Sequence, residues 1–234
     1  MRLLTRVLLA SLLLTSLLLT GCAMFAPKDP RPVAEIVAAA EDLVARKAYH
    51  DASELYAKAI AKESGNGSYY LRRGELLEVL GDVKEARGVY KKGMNNVSAT
   101  APEHQLLIYN LALLCATDLY DLDTAEALLE KLPLGTVPRL DLAAFLYLQT
   151  GQTEEALKML NQALPRAEDP NQKALILYHA ALIYDQYHDE KNTFTSLYHA
   201  INSATNLGVI RKIETLWMKI SGSQPMPHGN KQGN

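Results

Sequence analysis

Apolar positions are distributed unevenly along this chain, and their spacing divides it into segments. After Arg2 and Arg6, an apolar run extends from Val7 to Leu19, broken only by Ser11, Thr15 and Ser16. A basic start, an apolar middle and small residues at the end predict a secretory signal peptide over 1–21. The run is too short for a spanning helix, which needs about 20 apolar residues. From residue 33 the pattern changes to helical spacing, with small residues recurring beside leucines and tyrosines. Ala40, Ala52, Tyr56 and Ala59 are followed 34 residues later by Gly74, Ala86, Tyr90 and Gly93. A fixed period of this length marks a solenoid built from pairs of helices. Val209, Ile213, Leu216 and Ile220, with Trp217 beside them, continue the helical spacing and predict one last helix over 205–220, closing the solenoid as a cap.

The wording between these positions is also shared. Ala48-Tyr49-His50-Asp51-Ala52 and the stretch to Tyr56 read like Asp82-Val83-Lys84-Glu85-Ala86 and the stretch to Tyr90. Further units read Tyr109-Asn110-Leu111-Ala112 with Ala125, Ala144-Phe145-Leu146-Tyr147 with Ala156, and Ala180-Ala181-Leu182 with Leu197 and Ala200. The period and wording resemble the tetratricopeptide repeat over about residues 33–204. That resemblance implies an all-α, right-handed solenoid of about five helix-turn-helix repeats. Two units depart from the pattern. The third has an extra residue in its turn and Leu132 where a small residue is expected, and the fifth has Thr193 in such a place.

Helix crossing explains the small residues, because two antiparallel helices approach closely only where one side chain is short. Ala40, Gly74, Ala112, Ala144 and Ala181 serve the first helix of each unit, and Ala52, Ala86, Ala125 and Ala156 the second. Tyr56, Tyr90, Leu129, Leu160 and Leu197 are expected to fill the gaps between units. Boundary signals agree. Thr100-Ala101-Pro102-Glu103 reads as a capping box, Asp169-Pro170 opens the fifth unit, and Gly81 and Gly151 mark turns.

Leu19-Thr20-Gly21-Cys22 resembles the lipobox of bacterial lipoproteins. The resemblance implies that Cys22 becomes the first residue, with diacylglycerol on its thiol and an acylated amino terminus. The chain would then be anchored to a membrane with its body in water. Ala23, where an Asp would favour the inner membrane in the enterobacterial members, implies the outer membrane, with the body facing the periplasm. Residues 22–32, with Pro27, Pro30 and Pro32, read as a stiff tether. Residues 221–234, rich in Gly, Pro, Ser, Asn and Gln, read as a disordered tail.

The formal net charge is −2, and loss of Arg2 and Arg6 makes the remainder more acidic, so nucleic acid is not an expected partner. With Cys22 lipidated, Cys115 has no intrachain disulfide partner, and its apolar surroundings predict a small buried hydrophobe. No His-Glu-x-x-His, Cys-x-x-Cys, phosphate loop or Gly-x-Ser-x-Gly occurs. No catalytic residue, metal ligand or cofactor is therefore assigned. His179, His188 and His199 in the fifth unit are expected to be partly exposed at the surface.

In the repeat family, first helices line a concave groove that meets a peptide. By register this face holds Val37, Glu41, Leu71, Glu75, Tyr109, Asp141, Phe145 and Tyr178, with Leu113 and Leu182 fitting the groove or the core equally. The set is apolar and aromatic with acids interspersed, and it complements an apolar segment carrying some Lys or Arg. The family's clamp for a C-terminal carboxylate needs Lys, Arg and Asn here, and only Asn110 is suitable. The expected function is a lipid-anchored protein–protein interaction scaffold or adaptor in the bacterial cell envelope, in pilus biogenesis, outer-membrane assembly or recruitment of envelope enzymes. Its partners would be other envelope proteins or peptides. The alternatives are an envelope enzyme such as a peptidoglycan hydrolase, which would need a polar pocket, and a self-associating structural protein.

Overall fold

A computed structural model describes residues 29–222 together with Gln224 and Met226. The expected signal peptide, Cys22 and most of the tether lie outside the described residues, as do positions 223, 225 and 227–234 of the expected disordered tail. The chain divides into two compact units, 1–32 and 33–234. The second contains the repeats, and no described helix is long and apolar enough to cross a membrane.

Among the described residues, ten helices form five antiparallel pairs: α1 (Val33–Ala45) with α2 (Tyr49–Lys62), α3 (Gly67–Leu80) with α4 (Val83–Asn96), α5 (Pro102–Thr117) with α6 (Leu122–Leu129), α7 (Val137–Gln149) with α8 (Thr153–Ala163), and α9 (Pro170–Gln186) with α10 (Glu190–Ser203). A final helix, α11, spans Leu207–Ile220. Among the described residues there is no strand. First helices pack on first helices of the next unit, α3 on α5, α5 on α7 and α7 on α9, so one face of the stack is lined by first helices alone. The fold is an all-α tetratricopeptide-type solenoid.

The crossing positions are where the period places them. Ala40, Gly74, Ala112, Ala144 and Ala181 are buried on first helices, and Ala52, Ala86, Ala125 and Ala156 on second helices. The glycines show how little room there is. A Cβ on Gly74 would lie 2.2 Å from Cε1 of Tyr90, and one on Gly93 would lie 2.8 Å from Cβ of Tyr70. Thr193 is accommodated at the crossing of the fifth unit because its hydroxyl donates to Asp189 O at 2.8 Å, within its own helix. Of the expected gap-fillers, Tyr56, Tyr90, Leu160 and Leu197 are buried, while Leu129 is half-buried with Leu128 behind it. Cys115 is buried and free.

Four turns between paired helices share one hydrogen-bond pattern. The N–H groups of Lys47 and Ala48, Gly81 and Asp82, Gly151 and Gln152, and His188 and Asp189 return to the last carbonyls of the first helix. This is the Schellman closure, which needs a left-handed residue. Gly81 and Gly151 have φ of 86° and 76°, and Lys47 and His188 adopt 61° and 57° without being glycine. In the third unit the turn is one residue wider, with Asp121 N–H reaching Cys115 O and Tyr120 left-handed at φ 53°. Second helix α6 is short, and Leu132 is buried beyond its end.

Asp169 caps α9 as expected, accepting from Asn171 N and Gln172 N at 2.9 and 2.8 Å. The capping box at 100–103 does not form. Helix α5 begins one residue later, at Pro102 with Ala101 before it, and Thr100 pairs with Ser98 instead. Glu103 is committed elsewhere: its Cβ lies against the site of Gly67, and its carboxylate takes the Ser68 hydroxyl at 3.4 Å.

Gly74→Ala is expected to lower stability by about 1–3 kcal/mol, because Tyr90 is fully enclosed and cannot yield. Gly88, on the open face of α4 with nothing within 4 Å of its Cβ position, is the matched control. Gly88→Ala should raise stability by about 1 kcal/mol through helix propensity alone. Urea denaturation followed by circular dichroism distinguishes the two signs.

Candidate peptide-binding groove

The face of first helices is not left open. Helix α11 packs its apolar side, Val209, Ile213, Leu216 and Trp217, into a cluster with Ala174, Ala181, Leu197 and Ala200 of the fifth unit. It therefore covers the last repeat, and it also reaches α3 in the second unit. Lys212 Nζ lies 3.3 Å from Glu78 Oε2, and Arg211 donates to the carbonyl of Val79 in the last turn of α3. That carbonyl is among the four a helix leaves unpaired at its negative end, so a guanidinium suits it. Burial alone would lower the Lys212 ammonium, but Glu78, Asp118 and Tyr178 outweigh burial and hold it above its ordinary range.

Two cavities flank this contact, lined by first helices on one side and by α11 on the other. One, of about 280 Å³, is lined by Leu71, Glu75, Tyr109 and Leu113 opposite Asn206 and Lys212. The second, of about 400 Å³, is lined by Glu78, Leu114, Tyr178 and Leu182 opposite Arg211 and Leu216.

Four of the eight residues expected in the groove thus border these cavities: Leu71, Glu75 and Tyr109 the first, Tyr178 the second. Leu113 and Leu182 join them. Val37 and Glu41 do not. Val37 packs in the apolar cluster of the first unit, and Glu41 is taken by its neighbours. Arg72 holds Glu41 with bonds of 2.8 and 3.0 Å, and the Tyr56 hydroxyl donates to the same carboxylate. Burial would raise Glu41, but the hydrogen bonds from Arg72 and Tyr56 and the charge of Arg72 hold it below its ordinary value.

Asp141, Phe145 and most of Tyr109 are core rather than partner-facing surface. They are 1%, 4% and 4% exposed. Asp141 joins three successive first helices. It accepts the hydroxyl of Tyr109 from α5, and its Oδ1 lies 2.8 Å from Nδ1 of His179 on α9. The Phe145 ring lies 5.1 Å from the imidazole, tilted by 50° to it. His179 is therefore buried, not at the surface as its sequence context suggested, because it provides the partner a buried carboxylate requires. His188 and His199 are outside this cluster, at a turn and on α10. Tyr109, Asp141 and His179 are 32 and 38 residues apart, close to the repeat period, so matching polar positions on neighbouring first helices is the signal that would have found the cluster. Arg211, Lys212 and Asn206 carry no such signal, since they fall outside the period.

No family model matches the chain, and no curated protein matches it in sequence. Solved structures do match in fold. A tetratricopeptide repeat protein from Parabacteroides merdae has a TM-score of 0.50 at 17% identity, covering 82% of this chain and 87% of that one. The APC/C hetero-tetramer Cut9-Hcn1 has a TM-score of 0.60 at 13% identity, covering 82% of this chain and 38% of that one. The likeness is to tetratricopeptide architecture.

Asp141→Ala strands the Tyr109 hydroxyl and the His179 imidazole in the core. It is expected to cost about 1–3 kcal/mol for each group left without a partner, read from urea denaturation. Tyr109→Phe, which leaves the Asp141–His179 contact, should cost less.

Glu75 provides a pH signature. Burial, with Glu78 beside it, raises its carboxyl to about 7, although Arg72 and Asn206 act in the opposite direction. A carboxyl raised in the folded state binds more protons folded than unfolded, so its contribution is full below its ordinary value of 4.5 and is lost as pH rises to about 7. The melting temperature of wild type relative to Glu75→Gln should therefore fall between these limits and stay level above them. A difference that is flat across the window would show that Glu75 does not titrate there.

Proposed function

We propose that this protein is a lipid-anchored interaction scaffold or adaptor of the bacterial cell envelope. It is held at the outer membrane by lipid on Cys22, faces the periplasm, and binds an apolar segment with some basic residues from another envelope protein. One observation carries the binding part: on the first-helix side of two cavities the acids Glu75, Glu78 and Asp118 stand among apolar side chains, facing Arg211, Lys212 and Lys219 of α11. Their sizes are near the lower end of the roughly 300–1,000 Å³ usual for ligand clefts. The acids of the first-helix side suit a basic partner, as Lys212 on Glu78 illustrates, and the apolar side chains beside them contribute the burial. The tetratricopeptide architecture supports an interaction role in general. The anchor and the address rest on the lipobox resemblance of Leu19-Thr20-Gly21-Cys22.

Two measurements test the two parts separately. Cys22→Ser should move the protein out of the membrane fraction or leave an uncut precursor, and intact mass should show lipid on the wild-type thiol. A photo-crosslinking residue at Leu71 or Tyr178 should capture the partner in envelopes, with Glu75→Lys reducing the yield. Equal capture from a site on the second helices, such as Glu126, would move the binding surface to the opposite face.

A further inference from the structure

The two sides of α11 are held by different chemistry. Toward the fifth unit the contact is apolar and continuous, with Phe194 edge-on to Trp217 at 4.9 Å. The start of α11 is pinned there as well. Asn171 Oδ1 accepts from Thr205 N and Asn206 N at 2.8 and 2.7 Å, and Asn206 in turn caps α11. Toward the second unit the contact is polar. It includes the partly exposed Lys212–Glu78 pair, the bond from Arg211 to Val79 O and the hydrogen bond between Asn206 and Glu75, with a cavity on either side. Partly exposed ion pairs are weak, and they exchange readily for an equivalent pair.

The geometry points to α11 as a latched lid over the first-helix face: hinged on α9 and α10, fastened to α3 by Arg211 and Lys212, and released by a partner segment. That segment places its own Lys or Arg on Glu78 and fills the two cavities with apolar side chains. This inference rests on the reading that the first-helix face binds a partner. Charge complementarity defines the occupant. With Arg211, Lys212 and Lys219 withdrawn together on α11, Glu75, Glu78 and Asp118 face the opened cavities, with Arg72 as the neighbouring cation of Glu75 and the Tyr90 hydroxyl donating to Glu78 at 2.6 Å. Such a site attracts a cation and disfavours an acidic segment. α11 is itself an example of the required chemistry, with Arg211 and Lys212 beside an apolar face. The lid makes binding selective, because a segment without a basic residue cannot replace the latch.

The test uses the full chain and, as probe, a fluorescein-labelled peptide with the sequence of residues 207–220. Arg211→Ala/Lys212→Ala is expected to speed amide exchange in the last turn of α3 and in the first half of α11. The emission of Trp217, the sole tryptophan, should stay unchanged because the hinge is intact. The same variant should bind the peptide at least ~10-fold more tightly than wild type, a gain of about 1.4 kcal/mol, and Glu78→Gln added to it should remove that gain. Unchanged exchange in the variant, or a shift of Trp217 emission to that of solvent-exposed indole, overturns the hinged lid. Faster exchange with constant Trp217 emission but no peptide binding upholds the lid and overturns the occupant, and with it the binding role of this face.

Discussion

Close approach of paired helices is the constraint on which the rest of this structure depends. At Gly74 and Gly93 the backbone of one helix lies against a tyrosine ring of the other, and alanines do the same work in the remaining units. Each pair is thereby brought near enough to bury its tyrosines and leucines, and each buried edge presents the next unit with a surface to pack on. The apolar core is accordingly a series of clusters along the stack rather than one central mass. In such a solenoid a unit ordinarily depends only on its neighbours.

Turn chemistry sets how faithfully the units repeat. Every paired turn needs one residue in the left-handed region, and glycine meets that need at two of five. Lys47, Tyr120 and His188 adopt it at a steric cost of about 1–2 kcal/mol each. The cost is accepted because the Schellman bonds satisfy carbonyls that would otherwise be left at the helix end. In the third unit the turn is one residue wider, and the second helix ends at Leu129, ahead of Pro133. That helix is shortened, and Leu132 fills the place that a small residue occupies elsewhere.

Polar groups on the first-helix face divide between two roles. Asp141, with Tyr109 and His179, is enclosed and stitches three units together, so its charge serves the stack and not a partner. Glu75, Glu78 and Asp118 border the cavities, Glu75 facing Arg72 and Glu78 holding Lys212 of α11. The contact of α11 with α3 joins residues more than 130 positions apart and ties the fifth unit to the second. There the stack departs from strictly local dependence. A weak polar contact at that point is consistent with a stack that already has its stability from local packing.

The helix pairs, their number and their crossing residues are legible in the sequence, because the same small-residue wording recurs in every unit, at 34 residues in the first two, and the steric demand at Gly74 or Ala112 is local. The glycine turns, the Asp169 cap and the burial of Cys115 are legible for the same reason. Thr100 looks like a cap and is not one, because Pro102 and the demands on Glu103 from the second unit shift the helix start by one residue. Which groove residues face solvent is not legible. Register puts Tyr109, Asp141 and Phe145 on the same face as Leu71 and Glu75, but exposure depends on how far neighbouring units close over that face. His179 is likewise decided by a partner 38 residues away. The contact of α11 with α3 is invisible to any periodic argument. A helix such as α11 shows in its sequence that it has an apolar side, but only the tertiary packing of the stack brings Glu78 within reach of Lys212.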